Sequence, residues 1–103
     1  MRIEVLYVEE CPSYAAAVRM VEDILATEGL TADVHEILVH SDAMANDLRF
    51  QGSPTIRING RDVAAGPAEP RTFGLSCRFY PGSQTIGLPP AELVRRAVID
   101  ARK

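Results

Sequence analysis

The hydrophobic period of this chain changes abruptly close to its start, and that change limits what it can fold into. Residues 2–8, Arg-Ile-Glu-Val-Leu-Tyr-Val, are β-branched and aromatic, with charge only in the first half. This is the composition of a strand buried on both faces toward its C-terminal end. From Tyr14 onward the apolar positions Tyr14, Ala17, Val18, Val21, Ile24 and Leu25 recur at three and four, with Arg19, Glu22 and Asp23 between them. A helix with one stripe turned to a core follows, and Gly29 closes it as a C′ residue.

The pattern then repeats. Residues 32–39 return to strand composition, and Ser41 before Asp42 caps a short helix with Met44 and Leu48 one turn apart. In Ser53-Pro54-Thr55-Ile56-Arg57-Ile58 the two isoleucines share a face and Arg57 takes the other. Asn59-Gly60 is the best short hairpin turn in the chain, so residues 61–64 should pair back antiparallel. Pro90 suits the first position of a last helix, whose stripe is Leu93, Val94, Ala97, Val98 and Ala101. Residues 65–88 hold several glycines and prolines yet carry Phe73, Phe79 and Tyr80, three of the six aromatics. A long structureless loop is uncommon, so an extra hairpin about Pro81-Gly82 is the expectation there.

Composition closes off several classes. The 103 residues suit one domain, 1–103. A balance of 11 basic against 14 acidic residues, net −3, argues against nucleic acid held on a basic face. No apolar run approaches the about 18 residues of a membrane helix. Glu4, Glu9 and Glu10 interrupt the apolar N-terminal stretch in a way that a secretory signal would not tolerate, so a cytoplasmic protein is expected. Two cysteines, Cys11 and Cys77, are too few for a disulfide scaffold and should rest as thiols in a reducing compartment.

Cys11 lies where the first strand gives way to the helix, with Pro12 preset for the first helical turn. Unpaired amides and the helix dipole at such a place favour an anion, so the thiol should ionise more readily than a free cysteine and be the better nucleophile. Glu9 and Glu10 act the other way if their charges come close. The plain alternative is a small buried core residue.

Strand, Cys11-Pro12-Ser13-Tyr14, helix, strand, helix, Gly52-Ser53-Pro54-Thr55, a hairpin through Asn59-Gly60 and a final helix together resemble the thioredoxin and glutaredoxin superfamily. The resemblance spans everything except residues 65–88, and the run from Pro54 to Asn59-Gly60 is glutaredoxin-like in particular. It implies an α/β, thioredoxin-like fold, βαβαββα with a four-stranded mixed sheet, plus an extra loop or hairpin at about 65–88. It implies a cis bond at Ser53-Pro54, packed beside an active Cys11, and a substrate site built from Pro12, Tyr14, Ser53 and Pro54. Three departures stand out. Tyr14 occupies the position of the usual second cysteine, and Glu10 that of an aromatic residue. Ala65-Gly66 and Pro67-Ala68-Glu69 replace the Gly-Gly and nearby Asp that help hold glutathione.

In such a fold the fourth strand finishes at the active-site edge, so residues 65–88 would emerge near Cys11. Cys77, flanked by Arg78 and three aromatics, is then a candidate second catalytic cysteine, the resolving thiol that Tyr14 cannot be, or else a packed thiol beneath the loop. A bond between them needs Cα atoms within about 7 Å. Tyr14 is read first as a core-facing member of its helix stripe, its hydroxyl being able to bond a thiolate one turn away. His35 and His40 bracket a strand without metal-ligand spacing, so no metal site and no cofactor are expected. Glu9, Glu10, Arg57, Arg61, Arg71 and Arg78 read as solvated charge, or as groups that steer a substrate.

Three functions compete. The first is a thiol-disulfide oxidoreductase-like or thiol-reactive protein, acting on a thiol or disulfide substrate, protein or small molecule, with Cys11 as nucleophile. The second is binding of a soft ion, Cu(I), Hg(II) or arsenite, by Cys11 and Cys77. The third is a redox-silent interaction module that uses the aromatic insertion as its contact surface.

Overall fold

The computed structural model describes residues 1–64, 75, 80 and 88–102. Strand β1 (Arg2–Tyr7) runs between two partners: β2 (Asp33–Leu38), parallel, and β3 (Thr55–Ile58), antiparallel. Strand β4 (Arg61–Asp62) pairs antiparallel with β3, so the order β2-β1-β3-β4 makes a four-stranded mixed sheet. A parallel pair cannot be joined by a tight turn, and helix α1 (Tyr14–Glu28) supplies the crossover from β1 to β2. With α2 (Asp42–Leu48) before β3 and α3 (Ala91–Ala101) after β4, the element order among the described residues is βαβαββα, an α/β architecture as expected from the sequence.

The period of two along β1 divides the interior. Ile3 and Val5 join Ile56, Ile58 and Val63 beneath Ala17, Val21 and Leu25 of α1 and Val94 and Val98 of α3. Leu6 points the other way, into a second cluster with Val39, Ala45 and Phe50 on the α2 side. The sheet is therefore covered on both faces, which is why its first strand tolerates so little charge. No helix among the described residues is long and apolar enough to cross a membrane.

Helix ends are closed by chemistry that the chain carries locally. At Gly29, φ +66°, the amide donates to the Ala26 carbonyl, while the amide of Leu30 reaches back to Leu25. Helix α2 ends the same way without a glycine: Arg49 takes φ +54°, its amide bonds Asn46, and the amide of buried Phe50 bonds Ala45. From β3, the Arg57 guanidinium adds a second closure, donating to the Leu48 carbonyl at 2.6 Å and the Arg49 carbonyl at 3.1 Å. A cation at the negative end of a helix is doubly favourable there. Ser41 caps the opposite end as expected, accepting from the Met44 amide at 3.1 Å.

Several boundaries differ from the sequence reading by one or two residues, among them the start of α3, where Pro90 is the N-cap rather than the first helical residue. The strand expected over residues 2–8 stops at Tyr7, and the one expected over residues 32–39 is Asp33–Leu38. Helix α1 begins at Tyr14 with Ser13 as its N-cap, so Pro12 lies before the helix rather than in its first turn. The Cys11 amide bonds the Val8 carbonyl at 3.1 Å, and this turn over Glu9-Glu10 delays the helix. Strand β4 covers only Arg61–Asp62, because the Asp62 carboxylate accepts from the Ala64 amide at 2.9 Å and folds the chain away, although Val63 still bonds Ile56. The Asn59-Gly60 turn has φ +51° and +82°, the two left-handed residues that a type I′ hairpin requires. The hairpin expected about Pro81-Gly82 lies outside the described residues.

Arg57→Ala removes both side-chain bonds to the α2 terminus, and a loss of about 1–3 kcal/mol is expected. Urea unfolding, read as a fall in midpoint at unchanged slope, checks it.

Candidate functional site at the carboxyl end of the first strand

Because β1 and β2 are parallel and β3 is antiparallel to them, the end of β1, the end of β2 and the start of β3 meet at one edge of the sheet. Three chain segments converge there: residues 8–11, residues 39–41 and residues 52–54. The Val39 amide donates to the Tyr7 carbonyl at 2.8 Å, which ties the first two together. Val8 ties the first to the third, since its amide donates to the Ser53 hydroxyl oxygen at 3.1 Å. Its carbonyl in turn accepts from the Cys11 amide at 3.1 Å. Val8 thus leaves the strand ladder with both backbone groups satisfied, one by Ser53 and one by the cysteine turn.

The third segment is firmly held. Ser53, Pro54 and Thr55 are buried, and the Ser53-Pro54 peptide bond is cis, as the resemblance implies. The Thr55 hydroxyl donates to the Gly52 carbonyl at 2.6 Å. The hydroxyl of Tyr80, a residue only 2% exposed, donates to the Pro54 carbonyl at 2.5 Å. Gly52 has φ +139°, a conformation that a side chain would resist.

Cys11 carries a free, partly exposed thiol on this edge. Glu9, Glu10 and Pro12 around it are exposed, and Ser13 is buried. As a residue Cys11 is half-buried and does not belong to either buried core cluster. Tyr14 packs against the core, as its stripe position suggests, and its ring also stacks on Tyr7 with centroids 3.7 Å apart and planes within 11°. His40 is exposed just past β2, on the same edge, and His35 is exposed on β2 itself. Cys77, Arg71 and Arg78 lie outside the described residues. Among the described residues no three His, Cys, Asp or Glu side chains gather into a group that could hold a metal ion.

Two grooves on the described residues bear on the position of the site. The larger, bounded by Ile58, Asn59, Val63, Leu93 and Ala97, opens at the end of the sheet where Asn59 bonds Arg2, away from Cys11. The smaller starts at Tyr14 and follows α1 past Val18, Arg19 and Glu22 to Glu36, so it adjoins the cysteine edge.

The bridging role of Val8 and the bond from Tyr80 to Pro54 had no local signal in the sequence. The tyrosine stack did have one: Tyr7 shares the parity of Ile3 and Val5, so it faces the helix whose stripe opens at Tyr14. Comparison with family models, with curated proteins and with solved structures yields no match to this chain.

Two outcomes are expected. Ser53→Ala withdraws the acceptor from the Val8 amide and should lower stability by about 1–3 kcal/mol in urea unfolding. A double-mutant cycle with Tyr7→Leu and Tyr14→Leu should return a coupling of about 0.5–1.5 kcal/mol from the stacked rings.

Proposed function

We propose that this is a thiol-reactive protein of thioredoxin-like fold, a thiol-disulfide oxidoreductase in chemistry, with Cys11 as its nucleophile. The observation that carries the reading is the setting of Cys11: a free, partly exposed thiol on a turn whose backbone is bonded through Val8 to buried Ser53-Pro54. The order β2-β1-β3-β4, with a helix entered just after the cysteine, supports it further.

In this chemistry the Cys11 thiolate attacks one sulfur of a disulfide substrate. A new sulfur–sulfur bond forms to Cys11, the substrate's own bond breaks, and the leaving sulfur departs as thiolate. The substrate is reduced and Cys11 is oxidised to a mixed disulfide. The Cys77 thiolate then attacks the Cys11 sulfur, closing an internal disulfide and releasing the remaining substrate sulfur as thiolate, or an external thiolate attacks the substrate-derived sulfur and Cys11 leaves as the free thiolate. Pro12 and Tyr14 follow the attacking cysteine in sequence, and Ser53 and Pro54 hold the loop beside its turn, so these four residues are the proposed substrate wall.

A small symmetric disulfide mixed with the reduced protein should give a mixed disulfide at Cys11 on a peptide map, faster than free cysteine reacts at the same pH. Cys11→Ser should abolish it. Wild-type protein that forms no adduct at Cys11 overturns the proposal. Protection of both cysteines by arsenite or Hg(II) under those conditions would favour the metal-binding alternative instead. A disulfide between Cys11 and Cys77 after mild oxidation, absent in Cys77→Ser, would identify the internal resolving thiol.

A further inference from the structure

We infer that Tyr80 is a positioning residue for Cys11, an inference that rests on the proposed thiol chemistry. Tyr80 is remote from Cys11 in sequence. Its buried hydroxyl nevertheless closes on the Pro54 carbonyl at 2.5 Å. Pro54 follows Ser53, whose hydroxyl oxygen holds the Val8 amide at 3.1 Å. Val8 in turn holds the Cys11 amide through its carbonyl at 3.1 Å. Tyrosine hydroxyl, proline carbonyl, serine hydroxyl, valine peptide and cysteine amide form one continuous line, through hydrogen bonds and the chain itself, running from the interior to the backbone of Cys11.

Residues 52–54 are also held by the bond from Thr55 to Gly52 and by the bond between Ser53 and Val8. Tyr80 adds a support from the other side in sequence, 26 positions on, and it acts on the carbonyl of the proline that follows the serine. Its consequence falls on orientation. Displacement at a disulfide requires the attacking sulfur to lie in line with the bond being broken, so a misdirected thiol loses rate steeply, and about 1 Å of misplacement can cost about a hundredfold. A small alkylating agent in solution turns to meet the thiol from any open side and is far less demanding. Loosening the Pro54 carbonyl therefore slows exchange with a disulfide and spares alkylation.

The test compares wild type, Tyr80→Phe and Val98→Ala, the last as a buried helix α3 substitution that lowers stability away from this line of contacts. Two rates are read for each at Cys11: mixed-disulfide formation with a small symmetric disulfide, and alkylation by iodoacetamide. Tyr80→Phe should slow disulfide formation about tenfold, leave alkylation unchanged, and speed hydrogen exchange at the Cys11 amide. A fall no larger than that of Val98→Ala, or an equal fall in both rates, overturns the inference. Should Tyr80→Phe fail to fold, Ser53→Ala cuts the same line at its middle and is read by the same criteria. A wild-type protein whose Cys11 forms no mixed disulfide overturns the underlying thiol reading, and therefore this inference with it. A reactive wild type with an unaffected Tyr80→Phe overturns the positioning role alone.

Discussion

A backbone that leaves a sheet in the interior of a protein must find new partners for its amide and carbonyl, because buried groups left unbonded cost more than most contacts return. In this chain that demand falls on Val8. It is met on one side by the hydroxyl of Ser53 and on the other by the amide of Cys11. The two partners bond the same residue, so the cysteine turn and the proline loop, brought to one edge by strand pairing, are fastened to each other there. The rest of the edge follows: β2 is tied on through Val39 and Tyr7, and α1 begins once the turn is complete.

The sheet behind this edge is held by its two clusters, and the clusters depend on the helix ends being properly closed. Phe50 is completely buried against Leu6, Val39 and Ala45, and it is delivered there by the left-handed residue Arg49 just ahead of it. Arg57 reaches from β3 to that same turn. One strand residue thereby connects the layer on the α2 side to the strand that begins at the proline loop. Packing on one face and loop geometry at one edge are not separate matters in this molecule.

Much of the architecture could be read from residue order. The alternation along β1, the three-and-four spacing of Ala17, Val21 and Leu25, the serine cap at Ser41 and the paired left-handed residues at Asn59-Gly60 are local patterns with local causes. The position of Cys11 between strand and helix was legible for the same reason. What could not be read were bonds between residues far apart in sequence, such as Val8 with Ser53 and Tyr80 with Pro54, since no periodicity encodes which hydroxyl meets which peptide. Strand β4 proved shorter than its composition suggests because the Asp62 carboxylate competes for the Ala64 amide. Arg57, read from its alternation as an outward charge, spends that charge on helix carbonyls instead.

The two stacked rings at the strand-to-helix junction have an optical consequence. The chain contains no tryptophan and three tyrosines, so its near-ultraviolet absorption and emission come from very few chromophores. Two of these lie face to face at 3.7 Å, with Tyr14 three positions after the cysteine. Their transitions are electronically coupled, and that coupling changes when either ring shifts or turns. The protein carries an intrinsic spectroscopic reporter beside its thiol, readable without any attached dye.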